Sequence, residues 1–142
     1  MKYLLDTNVI SEMQKPVSNK NVKSFIDFVN IKDLYLSSFT IGELNFGIEK
    51  LPIGKKRHEL NIWLYTKILE WFDRRIIHLD TEVMIFWGKL RAKTKRTTPL
   101  DDLLIAATAL TYNLTLVTRN TKDYEGIENL TLLNPWDFSI TN

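Results

Sequence analysis

Carboxylates follow several short apolar segments, and these are the residues whose types and spacing could do chemistry. Asp6 comes directly after a short apolar run at the start of the chain, which reads as a buried strand. Glu43 follows a second such segment, residues 34–38, and Asp123 follows a third, residues 114–118. Ligands of open α/β sheets bind just beyond the carboxyl ends of the strands. We therefore expect these carboxylates at one edge of a sheet.

A fourth carboxylate, Asp102, stands at the start of a predicted helix. Asp102, Ile105, Ala106 and Ala109 recur at helical spacing, so they share one face of that helix. The alanines let this face approach the sheet closely, which places Asp102 at the head of the buried face. Asp101 points elsewhere and suits an interaction with the helix dipole.

Some of these polar residues also have ordinary structural explanations. Thr40 and Glu43 have the spacing of a capping box, which is common at helix starts. Thr7 and Asn8 have the residue types of a helix N-terminus, and capping there is compatible with supporting Asp6. The repeated placement of carboxylates at strand ends is what favours a functional site.

Several carboxylates in one place repel one another, so such a cluster needs a counter-charge. The chain has no cysteine, and with oxygen ligands only, the expected ion is Mg²⁺ or Mn²⁺ rather than zinc. Such an ion can activate water and stabilise phosphoryl oxygens. An acidic metal site flanked by Lys and Arg is the electrostatic layout of a phosphodiesterase that acts on nucleic acid.

Short predicted strands alternate with predicted helices along the whole chain. This order favours an α/β fold, with a central parallel sheet covered by helices on both faces. Right-handed crossovers bring the carboxyl ends of all strands to one edge, where the four carboxylates would meet. The predicted strands are the run before Asp6 and residues 34–38, 76–79, 114–118 and 130–133. The predicted helices are residues 7–13, 20–30, a helix through 44–51, 53–75, 80–94 and 99–110.

A basic run ends the helix predicted over residues 80–94, shortly before Asp101 and Asp102. Charges of this kind often only compensate the dipole at a helix C-terminus. Their position beside the acidic cluster favours contacts with phosphate instead. The candidates for holding an RNA backbone are Arg91, Lys93, Lys95, Arg96 and Arg119.

Length and composition indicate one ordinary globular domain over residues 1–142, with 44% hydrophobic and 25% charged residues. No apolar stretch approaches the roughly 20 residues of a membrane span. The absence of cysteine fits a cytoplasmic protein. The net charge of +2 is too small to indicate a nucleic-acid partner by itself.

Four motifs, in order along the chain, resemble those of a PIN domain, and specifically the VapC-type toxins of bacterial toxin–antitoxin pairs. The resemblance covers nearly the whole chain and is loosest over about residues 53–98. The loop before the third acid often carries Gly-Arg-Pro or similar in this family, whereas residues 95–99 here read Lys-Arg-Thr-Thr-Pro. The motifs are LLDTNVISEM, SSFTIGELNFGIEKL, PLDDLLIAATALTYNLTLVTRNTKDY and LLNPW.

This resemblance implies a single PIN-like α/β/α sandwich and a Mg²⁺- or Mn²⁺-dependent ribonuclease. It also implies a homodimer and a cognate antitoxin that docks a segment over the active site. By motif position, Asp6, Glu43 and Asp102 correspond to metal-site acids, and Asp123 to a more variable fourth. The polar positions around that site correspond to Thr7, Asn8, Thr118 and Asn120.

The sequence thus predicts the endoribonuclease toxin of a toxin–antitoxin pair, which hydrolyses RNA phosphodiester bonds with metal-activated water. The alternative is a toxin-like subunit of a DNA-binding regulatory complex, in which catalysis is secondary. A haloacid-dehalogenase-like phosphatase needs a second Asp where Asn8 stands. An aromatic stripe with Trp63 and Trp71 is either extra core or a subunit surface.

Overall fold

Over residues 1–94 and 98–140, the part of the chain that the computed structural model describes, the strands form one parallel sheet. The strands are β1 (Tyr3–Leu5), β2 (Leu34–Ser37), β3 (Ile76–Ile77), β4 (Thr115–Val117) and β5 (Leu132–Leu133). Their order in the sheet is β3-β2-β1-β4-β5, and every neighbouring pair is parallel. This is the parallel α/β architecture that the alternation of elements predicts.

The α-helices of the described residues are α1 (Thr7–Met13), α2 (Lys20–Phe28), α3 (Ser38–Glu49), α4 (Lys55–Trp63), α5 (Leu69–Trp71), α6 (Thr81–Lys93) and α7 (Leu100–Thr111). They lie between β1 and β2, between β2 and β3 and between β3 and β4, and they cover both faces of the sheet. The helix predicted over residues 53–75 is interrupted, because α4 passes through a π-helical turn, Leu64–Ile68, before α5. No helix in residues 1–94 or 98–140 is long and apolar enough to cross a membrane.

Alternate residues of the two central strands supply the hydrophobic cores on opposite faces of the sheet. Leu4 and Leu116 pack on one side with Ala106 of α7. Leu5 and Val117 pack on the other side, within the cluster that α1 to α5 complete. Successive side chains of a strand point to opposite faces, and both faces here are covered. This explains why the strands read as continuous apolar runs rather than as alternating ones.

The register of β1 and β4 sets the position of the first carboxylate. Leu5 pairs with Val117, and the Asp6 backbone N–H donates to the Val117 carbonyl at 2.9 Å. The two strands therefore end level with each other. The residues that follow, Asp6 and Thr118, leave the sheet side by side.

The start of α3 differs from the predicted capping box. Ser37 is the N-cap, and its hydroxyl accepts the backbone N–H of Phe39 at 3.0 Å. The helix therefore begins before Thr40, which is fully buried. The capping-box interpretation of Glu43 is wrong, and the Glu43 side chain is free to face the edge of the sheet.

Candidate active site

Asp6, at 8% exposure, is more buried than Glu43 and Asp102 and lies just beyond the carboxyl end of β1. Its Oδ1 accepts the backbone N–H of Thr7 at 2.8 Å, which caps α1. Its Oδ2 accepts the hydroxyl protons of Thr118 at 2.8 Å and Tyr124 at 3.2 Å, and is 3.4 Å from Asn8 Nδ2. Neutral donors thus fix the orientation of this carboxylate without cancelling its charge.

Glu43 reaches the site from α3. Its Oε1 accepts the hydroxyl of Thr7 at 2.6 Å, so one residue of α1 orients a carboxylate from a different helix. Burial raises the pKa of Glu43. The Thr7 hydrogen bond opposes this shift, and the charges of Asp6 and Asp101 add to it. No positively charged side chain in the described residues offsets the negative charge of Glu43, so a bound cation would stabilise it.

Asp102 reaches the site from the first turn of α7. Its Oδ1 lies 3.3 Å from the hydroxyl of Tyr124. Burial raises its pKa to about 6, and the nearby charges of Asp6, Asp123 and Asp101 contribute to the rise. The hydrogen bond from Tyr124 acts in the opposite direction. Asp102 is thus destabilised as an anion by its neighbours.

Asp123 lies farther out than the other predicted acids. It sits in a 3₁₀ turn, Thr121–Tyr124, and its side chain is exposed. It does not line the cavity that the other acids share, although its charge contributes to the raised pKa of Asp102. The structure therefore brings three of the four predicted acids together and places the fourth at their edge.

These acids line one cavity of about 450 Å³ at the carboxyl edge of the sheet. None of the ion pairs in the described residues involves Asp6, Glu43 or Asp102. The lining is acidic on one side, and Lys15, Arg119 and Trp136 contribute to the rest. It consists of Asp6, Thr7, Asn8, Ser11, Glu12, Lys15, Glu43, Asp101, Asp102, Ile105, Arg119, Asn120 and Trp136.

The predicted polar residues form a layer around Asp6. Asn8 is central to it: its Nδ2 donates to the Thr118 hydroxyl at 3.2 Å, and its Oδ1 accepts the backbone N–H of Arg119 at 3.1 Å. The backbone N–H of Asn120 also donates to the Thr118 hydroxyl, at 3.1 Å. Side chains that follow β1 and β4 are thereby tied together.

Tyr124 is a site residue that the sequence analysis missed. It is 2% exposed, and its hydroxyl lies between Asp6 Oδ2 and Asp102 Oδ1. Burial, followed by the charges of the two carboxylates, raises its pKa, which keeps the hydroxyl protonated as a donor. The only signal in the sequence was its position directly after Asp123. A buried aromatic residue of the core would look the same in a sequence.

The predicted basic residues are divided by the structure. Arg119 lines the acidic cavity, whereas Arg91 lies on α6 with its guanidinium 5.3 Å from the centre of the Trp87 ring. Lys93 lines a separate cavity of about 500 Å³ beside α6. Lys95 and Arg96, with most of the loop that departs from the family pattern, lie outside the described residues. Lys15, which no motif indicated, joins Arg119 at the acidic cavity.

The donor chemistry of the cavity suits a hard divalent cation, because carboxylate oxygens are the ligands that such cations prefer. In residues 1–94 and 98–140, no three acidic or histidine side chains are grouped closely enough to hold one ion as they stand. Two observations therefore support a divalent cation here: the possible ligand atoms are carboxylate oxygens, and Asp6, Glu43 and Asp102 have no ion-pair partner in the described residues.

A parallel five-stranded sheet between helices, with acids gathered at its carboxyl edge, defines an α/β/α domain with an acidic cleft at that edge. Residues 3–127 match the family model of the PIN domain. The chain belongs to the PIN domain family. This confirms the resemblance seen in the sequence motifs.

Named relatives agree over almost the full length. The chain is 37% identical to Toxin FitB of Neisseria gonorrhoeae, over 94% of this chain and 97% of that one. It is 34% identical to VapC ribonuclease Y4jK of Sinorhizobium fredii, over 94% and 97% respectively. It also resembles a chain in the structure of FitAB bound to an IR36 DNA fragment, with a TM-score of 0.87, 32% identity and 99% of each chain covered.

Proposed function

We propose that this chain is a metal-dependent endoribonuclease that acts as the toxin of a toxin–antitoxin pair. The observation that carries the proposal is the shared cavity of Asp6, Glu43 and Asp102, in which burial and mutual repulsion raise the pKa values of Glu43 and Asp102. Such an arrangement is unfavourable without a cation. The relative named VapC ribonuclease Y4jK supports RNA as the substrate.

The cation proposed is Mg²⁺ or Mn²⁺, because the proposed ligand atoms of Asp6, Glu43 and Asp102 are all carboxylate oxygens. Asp6, Glu43 and Asp102 would hold it, and Asp123 would add negative charge at the rim. When bound, such an ion makes water more acidic and stabilises negative charge on phosphoryl oxygens.

The other residues act by holding the acids in place. The Thr118 hydroxyl and the Thr7 backbone N–H fix the two oxygens of Asp6. The Thr7 side chain fixes Glu43. Because these donors are neutral, the acids keep their charge for the cation. The Tyr124 hydroxyl sets the spacing between Asp6 and Asp102.

Removal of divalent cations should abolish RNA cleavage. The acids have no basic partner within the described residues, so no protein group replaces the cation. We expect no cleavage of a labelled RNA in EDTA, and recovery when excess Mg²⁺ or Mn²⁺ is added. Undiminished cleavage after exhaustive chelation would contradict the proposal, provided that EDTA stops a known Mg²⁺-dependent nuclease in parallel.

The Tyr124→Phe variant tests whether the Tyr124 hydroxyl orients the acids, because it removes the hydroxyl and keeps the packing of the ring. The phenyl ring keeps the buried volume, but Asp6 and Asp102 lose their shared donor. We expect cleavage to fall by about 10-fold, the range for residues that orient metal ligands. The matched control is Tyr112→Phe, whose hydroxyl bonds Asp80 away from the cavity. Equal cleavage rates for the two variants would show that the Tyr124 hydroxyl has no such role.

The proposed partners follow from the same relatives and from the surface. A toxin of this type would act in the cytoplasm on RNA and be silenced by a cognate antitoxin. The relative FitB is named a toxin, and the similar solved chain belongs to a complex named FitAB. A homodimer is also proposed. Its support is the apolar surface of the α4–α5 region, where Ile62, Tyr65 and Trp71 are exposed.

A role in a DNA-binding complex is the second candidate, because the similar chain in the FitAB structure was solved with DNA bound. We expect this chain to need its antitoxin for that role. An electrophoretic mobility assay on its own promoter region, with and without antitoxin, tests this. A shift by the purified chain alone would make DNA binding an intrinsic activity.

A further inference from the structure

Besides Asp6, Glu43 and Asp102, one wall of the cavity carries two cations and an indole from separate parts of the chain. Lys15 follows α1, Arg119 follows β4, and Trp136 lies in the 3₁₀ turn Pro135–Asp137. The acids explain hydrolysis of a phosphodiester but not how a strand is held there. These three side chains line the same cavity, and no hydrogen bond or ion pair in the described residues joins them to Asp6, Glu43 or Asp102.

Arg119 is held in place by its backbone and its side chain. Its N–H donates to Asn8 Oδ1 at 3.1 Å, and its carbonyl accepts from Asn134 Nδ2 at 3.4 Å. Its guanidinium lies 5.0 Å from the centre of the Trp136 ring. No carboxylate in the described residues forms an ion pair with it. Arg119 is an exposed residue, so a ligand can reach it.

Lys15 is anchored by a buried acid. Its Nζ lies 2.8 Å from Oε1 of Glu12, a residue that is 7% exposed and whose other oxygen accepts the Asn19 backbone N–H at 2.8 Å. The Lys15 hydrogen bond, followed by that from Asn19, lowers the pKa of Glu12. An ammonium group has three donors, and the Lys15 side chain remains 53% exposed. The remaining donors can reach a phosphate.

We infer that this wall binds one unpaired nucleotide of single-stranded RNA next to the acids, with Lys15 on its phosphate and its base stacked on the Arg119–Trp136 pair. The inference rests on the proposed function. Unpaired bases stack on aromatic rings and on arginine guanidinium planes, whereas bases inside a duplex are already stacked. Arg119 directly follows Thr118, whose hydroxyl bonds Asp6, so the stacked nucleotide neighbours the reacting phosphate.

The chain provides a matched control. Lys50 lies over the Phe46 ring, with its Nζ 5.3 Å from the ring centre, and neither residue lines the acidic cavity. Lys50→Ala and Arg119→Ala therefore each remove one positive charge and its contact with an aromatic ring, from two different places. The Trp136 ring packs against the core, so Arg119 is the better residue to replace.

The experiment measures binding of a fluorescein-labelled single-stranded oligouridine by anisotropy in EDTA, which prevents cleavage. We expect Arg119→Ala to weaken binding roughly 10-fold, within the range for loss of one stacked base. Lys50→Ala should change it less than twofold. Arg119→Lys, which keeps the charge without the plane, should recover only part of the loss. Lys15→Gln should lower the salt dependence of log affinity by about 0.7, as expected for one lost phosphate contact.

The same strand paired with oligoadenosine shows whether the bases matter. Arg119→Ala should weaken binding of this duplex much less than binding of the single strand. Equal losses on both, or equal losses for Arg119→Ala and Lys50→Ala, would overturn the inference. Thermal unfolding of each variant controls for misfolding. If the wild-type protein cleaves RNA and Arg119→Ala binds it normally, the nucleotide site is wrong and the proposed function stands. If Arg119→Ala weakens binding of the single strand as expected but the wild type shows no metal-dependent cleavage, the proposed function is wrong and the nucleotide site stands.

Discussion

The Asp6→Asn variant is expected to lose RNA cleavage while it keeps its fold. Asparagine retains Oδ1, which accepts the Thr7 backbone N–H and caps α1, but it removes the negative charge at the centre of the site. Residues that only orient metal ligands cost about 10- to 100-fold in activity when replaced. A residue proposed to contact the cation directly should cost more than about 100-fold.

Cleavage of a labelled RNA in Mn²⁺ measures this loss, and thermal unfolding measures the fold. Asp73→Asn is the matched control, because Asp73 is exposed and does not line the cavity. It should cleave at the wild-type rate. Cleavage that survives in Asp6→Asn and also in Asp102→Asn would place the reaction elsewhere in the molecule.

The Asp102→Asn variant should lose cleavage and gain stability in the absence of metal. Its raised pKa, about 6, means that the folded state favours the protonated form more than the unfolded chain does. This contribution to stability is complete below about pH 4, the ordinary pKa of Asp, and is lost as pH rises through about 6. Metal-free wild-type protein should therefore become less stable between these pH values.

Asparagine is neutral at every pH, so it avoids this loss. Thermal unfolding in EDTA at pH 7.5 should show Asp102→Asn above the wild type, and the difference should shrink toward pH 4.5. Glu43 has a raised pKa as well, so part of the pH dependence remains in the variant. Added Mn²⁺ should stabilise the wild type more than Asp102→Asn. A variant less stable than wild type at pH 7.5 in EDTA would contradict this account.

A gain in stability on losing an acid is the pattern expected of a functional site. Asp102 is partly buried beside other carboxylates, with the Tyr124 hydroxyl as its hydrogen-bond donor. Selection for stability alone would not keep such a charge there. Loss of cleavage together with a gain in stability would show that Asp102 serves catalysis. Replacement of an acid that stabilises the fold would lower stability instead.

The sequence alone determined the fold class and the place of the acids. Apolar runs that end at carboxylates, separated by helical periodicity, specify parallel strands whose carboxyl ends share an edge. Asp6, Glu43 and Asp102 could be placed there because strand ends and helix faces follow from local spacing. Thr7, Asn8 and Thr118 could be placed beside them for the same reason.

Only the tertiary structure decided which side chains share the cavity. The direction of a side chain in a 3₁₀ turn depends on how that turn packs, so Tyr124 points inward to the acids while Asp123 stays exposed. Lys15, Arg119 and Trp136 meet because three distant segments cross at one edge, which no spacing along the chain encodes. The register of β1 with β4 sets Asp6 beside Thr118, since it ends both strands at the same level.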